Sequence, residues 1–203
     1  MTAVQMVRRG LTRGTVCAAV AFAFVAGCKK DNPAAPIAGA GDPENISLVV
    51  VTLTPVGGAV AQTSSRKDPD GTQLPQPVGA AQGTLALTKG TTYNGSVSLK
   101  NDLDANNVID ISAEVKKEAN FHRFIYTFTS GCTGVTFGNY DVDTQTPTPQ
   151  PVGLTFQVTV PAATATGACT MHIELHHYNT AKGDGTAGTF DTDLSIDFPV
   201  TIS

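Results

Sequence analysis

The feature that most constrains the fold of this chain is a series of short segments in which apolar and polar residues alternate. Residues 121–128 carry an aromatic or histidine side chain at every second position, and residues 170–178 alternate in the same way. Successive side chains point to opposite faces of a strand, so this period predicts strands with one buried face. Residues 46–54 are a run rich in β-branched side chains, and residues 59–66 are expected to return as its hairpin partner. The other segments expected to form strands are residues 83–89, 92–100, 152–160 and 194–202.

Turn residues separate these segments. Asp68-Pro69-Asp70-Gly71 suits a tight turn, and Gly90 divides residues 83–89 from 92–100, which we expect to pair as neighbouring strands. Residues 112–119 are the one plausible helix. Short strands at this spacing predict an all-β fold, an antiparallel immunoglobulin-like β-sandwich with one short helix, over residues 44–203.

The N-terminus has the pattern of a secretory signal. Arg8, Arg9 and Arg13 precede residues 16–27, which carry no charge and are too few to cross a bilayer stably. The segment ends in Val25-Ala26-Gly27-Cys28, which resembles a lipobox, the cleavage and lipid-attachment signal of bacterial lipoproteins. We therefore expect residues 1–27 to be a signal peptide and Cys28 to be the lipidated first residue. The alternative is a buried Cys28 at the end of an ordinary signal or anchor helix.

Residues 28–43 are rich in Pro, Ala and Gly and show no core pattern, which is typical of a flexible tether. The predicted location is therefore the cell envelope, with the lipid anchor in the membrane. Lys29 follows the cysteine in place of an aspartate, and in this it resembles lipoproteins sent to the outer membrane. Both the periplasmic and the surface face remain open.

The charge of the chain argues against nucleic acid as a partner. There are 13 basic and 17 acidic residues, and residues 1–27 hold three of the basic ones and no acid, which leaves a net charge of −7 on the remainder. Such a surface repels phosphate backbones.

Two cysteines remain once Cys17 in the signal and Cys28 are set aside. In an oxidising compartment Cys132 and Cys169 are expected to form a disulfide. The alternatives are a thiolate metal site or a catalytic cysteine, for which the sequence offers no supporting motif.

The predicted disulfide aligns two histidines. If the strand from His122 runs antiparallel to the strand that ends near His177, with Cys132 near Cys169, the two imidazoles lie opposite or nearly opposite each other at the edge of the core. They either close the end of the sandwich or, with Glu118, form a transition-metal site for zinc or copper.

A second candidate metal site lies on the other face of the later strand. His172, Glu174 and His176 alternate and project together, and residues two apart on a strand are about 6.6 Å apart. The alternative is a polar, solvent-exposed face.

Catalytic motifs are lacking. The sequence contains no nucleophile elbow, zinc-protease helix or phosphate-binding glycine loop, so we expect no enzymatic activity.

Several short motifs, in their order, carry a resemblance to a family. They are Thr52-Leu53-Thr54-Pro55 with Gly57-Gly58, Asp68-Pro69-Asp70-Gly71, Leu87 with Gly90-Thr91-Thr92-Tyr93, Asp110-Ile111 through Glu114, Glu118-Ala119 with His122, Phe124 and Tyr126, Leu175-His176-His177, and Phe198-Pro199-Val200. The chain resembles small envelope lipoproteins of Gram-negative bacteria, a family without an assigned activity. In that resemblance Glu118, His122 and His177 match motif positions, whereas His172 and His176 do not, which favours the first metal set.

Together these features predict a lipid-anchored, non-catalytic binding protein of the envelope. Its expected ligand is a transition-metal ion, zinc or copper, or its partner is an outer-membrane receptor. A carbohydrate-binding module and a purely structural or interaction lipoprotein are the alternatives. The first of these would require exposed aromatic platforms, and the chain has no Trp and 4 Tyr.

Overall fold

A computed structural model describes residues 44–71, 79–129, 131–182 and 189–203. The predicted signal peptide, the lipidation site Cys28 and the tether, which together make up residues 1–43, lie outside the described residues. The described part folds into strands and one helix, in chain order β1 (Leu48–Pro55), β2 (Gln62–Lys67), β3 (Leu85–Leu87), β4 (Thr92–Asn101), β5 (Ile109–Asp110), α1 (Ile111–Lys117), β6 (His122–Phe128), β7 (Thr136–Gly138), β8 (Thr155–Thr159), β9 (Gly167–Tyr178) and β10 (Phe190–Ile202).

The strands form two sheets that pack together. The first has the order β2-β1-β4-β8-β7 with β5 also paired to β4, and the second has the order β3-β10-β9-β6. Neighbours are antiparallel except β3 and β10, which are parallel. The predicted all-β sandwich with one short helix is confirmed, whereas an immunoglobulin-like order of its strands stays a prediction.

The expected pairing of residues 83–89 with residues 92–100 is wrong. β3 lies beside β10 in the second sheet, while β4 lies between β1 and β8 in the first. The connection crosses between the sheets, and its Gly90 has φ +73° and donates its backbone N–H to the carbonyl of Val160 at 2.8 Å. Alternation reveals which face of a strand is buried, but it does not reveal the neighbour.

The core lies between the sheets and is built from every second residue of the strands. Burying such an aliphatic side chain contributes about 1.5–3 kcal/mol relative to leaving it exposed, so the inward face fixes each strand's orientation. Examples of such alternating, almost fully buried residues are Val49, Val51 and Leu53 on β1, and Met171, Ile173 and Leu175 on β9.

Helix α1 begins because Asp110 caps it. The Asp110 carboxylate accepts a hydrogen bond from the backbone N–H of Ala113 at 3.2 Å, and Ile111 and Val115, one turn apart, bury one face. The helix expected over residues 112–119 is thus present with slightly earlier bounds. Within the described residues no helix is both long and apolar enough to span a membrane.

The disulfide and the strand register agree with the sequence. Cys132 and Cys169 are bonded, with Cα atoms 5.7 Å apart, so the predicted disulfide is confirmed. β6 and β9 pair antiparallel, with His122 directly opposite His177 and Phe128 opposite Met171. The predicted juxtaposition of the two histidines is therefore confirmed.

Candidate functional site

The two facing histidines lie at the end of the sandwich core, away from the disulfide. His122 is 0% exposed and His177 is 1% exposed, and their ring centroids are 4.2 Å apart. Two imidazoles buried this close together are unfavourable when both are protonated. The strand register thus creates a pair of imidazoles in which protonation of the second ring is unfavourable. Their ring nitrogens can instead bind an electrophile such as a metal ion.

Glu44 brings a carboxylate to this pair. Its Oε1 lies 3.6 Å from Nε2 of His122, and ligand atoms of Glu44, His122 and His177 all lie within 4.8 Å of one another. Glu44 is held there because Ile46 is fully buried and the backbone N–H of Ser47 donates to the carbonyl of Lys100 at 2.9 Å. Nothing local in the sequence connects this residue, which precedes β1, with histidines on β6 and β9.

Glu118 contacts the site through its backbone. Nδ1 of His122 lies 3.2 Å from the carbonyl oxygen of Glu118, and a carbonyl can only accept, so Nδ1 carries the proton. Nε2 of a neutral His122 then presents a lone pair toward Glu44. The group of close ligand atoms contains the carboxylate of Glu44 and not that of Glu118. The side-chain role expected for Glu118 stays a prediction.

Asp193 is a further acidic residue at the site, and the sequence did not point to it. In the β9–β10 ladder His176 pairs with Thr192 and Leu175 pairs with Leu194, so Asp193 is the extra residue of a β-bulge. It is 1% exposed, and its Oδ2 lies 3.4 Å from Nδ1 of His177 and 3.9 Å from Nε2 of His122. Strict alternation would have turned this side chain outward, which is why the period-two pattern missed it.

Burial dominates the electrostatics of the cluster. Burial raises the pKa of Glu44 to about 7, and the nearby carboxylates of Glu114 and Asp193 add to this. Burial, with help from His177, lowers the pKa of His122 to about 4. The pKa of His177 is raised by its interaction with Asp193, and burial raises the pKa of Asp193. Removal from water therefore makes negative charge costly here, and an added cation would relieve that cost.

A buried lysine, Lys182, holds the backbone of His122 in place. Nζ of Lys182 donates to the carbonyl oxygens of His122 at 2.6 Å and Pro151 at 2.9 Å, and it lies 3.3 Å from Oδ2 of Asp143. The side chains of Lys182 and Asp143 are both 0% exposed, and burial lowers the pKa of Lys182. This ion pair fixes the backbone of His122, and a single sequence gives no sign of it because lysines are rarely buried.

The second predicted set is also brought together, but as ion pairs on a partly exposed face. The Glu174 carboxylate lies 3.3 Å from Nε2 of His172 and 2.9 Å from Nε2 of His176. Nδ1 of His172 lies 2.7 Å from Asp197, and this contact, with Glu174, raises the pKa of His172 against the opposing effect of burial. The ring of Phe190, the one large aromatic side chain exposed among the described residues, stacks on His176 at 3.9 Å.

The two candidate metal sets therefore differ in how their ligand atoms are arranged. Among the described residues, the group of three potential ligands gathered within 4.8 Å is Glu44, His122 and His177. In the second set the carboxylate of Glu174 already pairs with the imidazoles of both His172 and His176. The ligand atoms of the buried set converge within 4.8 Å of one another, and the exposed set serves as a control for it.

A comparison of the chain with protein-family models, with curated proteins and with solved structures found no similar protein. The resemblance to small envelope lipoproteins accordingly stays a prediction.

Proposed function

We propose that this chain is a lipid-anchored protein of the bacterial envelope that binds a transition-metal ion, zinc or copper, at Glu44, His122 and His177 and catalyses no reaction. The N-terminal pattern supports the location, since Cys28 follows a basic and then apolar segment. The buried cluster supports the ligand.

The strongest support for metal binding comes from the Nε2 atom of His122. Its Nε2 is buried and makes no hydrogen bond, although the carboxylate of Glu44 lies 3.6 Å away. Buried polar atoms are nearly always paired, so an exception at the meeting point of two imidazoles and a carboxylate supports a metal ion as the partner of this nitrogen. Ligands bonded about 2.0–2.2 Å from a tetrahedral ion lie about 3.2–3.6 Å from each other, and the 3.6 Å between His122 and Glu44 agrees with this separation.

The absence of catalysis is proposed because the site is enclosed. The side chains of His122 and Glu44 are 0% and 9% exposed, and that of His177 is 2% exposed. Catalytic metal sites keep a position open for water or substrate, whereas closed sites hold an ion for structure or storage.

Metal binding is tested with the full-length protein purified in detergent. We expect one equivalent of zinc or copper to bind, and saturation at about 100 times Kd to add about 2.7 kcal/mol, a rise in Tm of about 5–10 °C. Elemental analysis and thermal unfolding after chelation and reloading measure both quantities. Glu44→Gln and His122→Ala are expected to abolish the shift.

The exposed histidines provide the matched controls for this experiment. His172→Ala and His176→Ala each remove an imidazole from the same strand as His177 and should leave the shift unchanged. If the wild-type protein shows neither bound metal nor a thermal shift, metal binding is rejected. If only the controls lose the shift, the ion binds the exposed set instead.

Lipid attachment is tested separately by Cys28→Ser. The wild-type chain is expected to incorporate labelled palmitate and to lose the mass of residues 1–27, because acylation of the cysteine precedes cleavage of such signals. Cys28→Ser should remain unlabelled and uncleaved, while Cys17→Ser, a substitution within the signal, should behave like the wild type. Labelling of the Cys28→Ser variant would contradict a lipid anchor at this residue.

A further inference from the structure

The β10 bulge adds a fourth side chain to the buried site, and we propose that Asp193 completes a closed set of four ligands for a divalent cation of the zinc class. This inference rests on the proposed function, because it specifies the ligand set and the charge of the ion. It assigns a role to a residue that the predicted metal set did not contain.

The position of Asp193 suits a metal ligand. Its carboxylate is buried, with His177 and the backbone of Glu44 as its polar neighbours, and it lies near Nε2 of His122, which is buried and makes no hydrogen bond. Oδ2 lies 3.4 Å from Nδ1 of His177 and 3.9 Å from Nε2 of His122. Ligands that share one tetrahedral ion lie about 3.2–3.6 Å apart, so the first separation falls within this range and the second is slightly longer.

The β-bulge in β10 explains why the side chain of Asp193 faces the histidines. Leu194, Ile196 and Phe198 occupy the core face of β10 at every second position, so Asp193 would face outward on a regular strand. The inserted residue reverses the parity and turns the carboxylate toward the histidines. Burying a carboxylate in this way costs several kcal/mol unless a positive charge compensates it.

The total charge of the four ligands indicates which kind of ion they would bind. Two carboxylates and two neutral imidazoles carry a charge of −2, which a divalent cation cancels and a monovalent copper ion leaves half uncompensated. Mixed nitrogen and oxygen ligands suit zinc, whereas monovalent copper prefers sulfur. With four protein ligands no position is left for water, so the ion links β6, β9, β10 and the segment before β1.

The decisive comparison is Asp193→Asn against Asp197→Asn in the full-length protein. Asp197 lies on the same strand and contacts His172 on the exposed face, so it is a matched acidic control. We expect Asp193→Asn to weaken zinc binding at least tenfold and Asp197→Asn to leave it unchanged, both measured by competition with a chromophoric chelator. The Tm of the metal-free Asp193→Asn protein should not fall, since the amide removes a buried charge.

Cobalt substitution reports the ligand number. Co²⁺ in the wild-type site should give the intense visible absorption of a four-coordinate ion, and Asp193→Asn should change its intensity and position. X-ray absorption at the zinc edge of the wild-type protein gives the same count without any variant, so a poorly folding Asp193→Asn chain would not prevent the test.

The outcomes separate this inference from the proposed function. Wild-type zinc affinity in Asp193→Asn, with binding lost in Glu44→Gln, would overturn the role of Asp193 and leave the metal site in place. A weak six-coordinate cobalt spectrum would overturn the closed set. Failure of the wild-type protein to bind zinc or copper would reject the proposed function itself.

Discussion

Replacing Lys182 by methionine is expected to lower the free energy of unfolding by about 3–5 kcal/mol, the cost of removing one partner from a buried ion pair. The substitution leaves the carbonyl oxygens of His122 and Pro151 without their donor in the interior and leaves Asp143 facing an apolar chain. Methionine keeps the length of the side chain, so the loss reports charge and hydrogen bonding more than volume. Urea unfolding of the full-length protein measures it.

The control for this prediction is Lys116→Met on the exposed side of α1, which should change stability by about 0.5 kcal/mol or less. The double substitution Lys182→Met with Asp143→Asn should recover part of the loss, because a neutral amide then replaces the buried carboxylate that has lost its cation. A loss of less than about 1 kcal/mol in Lys182→Met would show that water replaces the ammonium group and that the pair is not the support of His122 inferred from its geometry.

Removal of the disulfide is the second large effect. Replacing Cys132 and Cys169 together by serine releases a loop with a sequence separation of 37 and is expected to lower the free energy of unfolding by about 4 kcal/mol on the loop-entropy estimate. The bond joins the segment after β6 to the start of β9, and therefore holds together the strands that carry His122 and His177.

Reduction of the wild-type protein provides an independent measure of the same bond. Dithiothreitol should shift the unfolding midpoint by as much as the double serine substitution does, and it should leave that variant unaffected. Peptide mapping under non-reducing conditions should recover Cys132 and Cys169 in one linked fragment. Recovery of both as free thiols would contradict the pairing.

The predictable part of this site is the part set by strand parity and by a covalent constraint. A period of two placed His122 on the face that carries Phe124 and Tyr126, and the expected disulfide fixed the alignment of β6 with β9. Those two facts predict His122 opposite or nearly opposite His177, and the ladder pairs the two residues directly. The alternation of residues along the strands, together with one disulfide, therefore predicted the contact between His122 and His177.

The unpredicted part depends on departures from regular pattern. Asp193 is turned inward by a bulge, Lys182 lies outside any strand, and Glu44 precedes the first strand. β3 crosses to a different sheet from β4 although both alternate alike. None of these placements has a local signature, because each is decided by packing against residues far away in the chain.

The position of β1 in its sheet also determines how the domain responds to force. β1 lies between β2 and β4 and pairs with both along most of its length, and Ile46 just before it is fully buried. Tension applied through the N-terminal side of the chain would load both ladders in shear at once, instead of opening an edge strand one pair at a time. A sandwich held in this way resists peeling at the end of the domain where the proposed lipid anchor would pull.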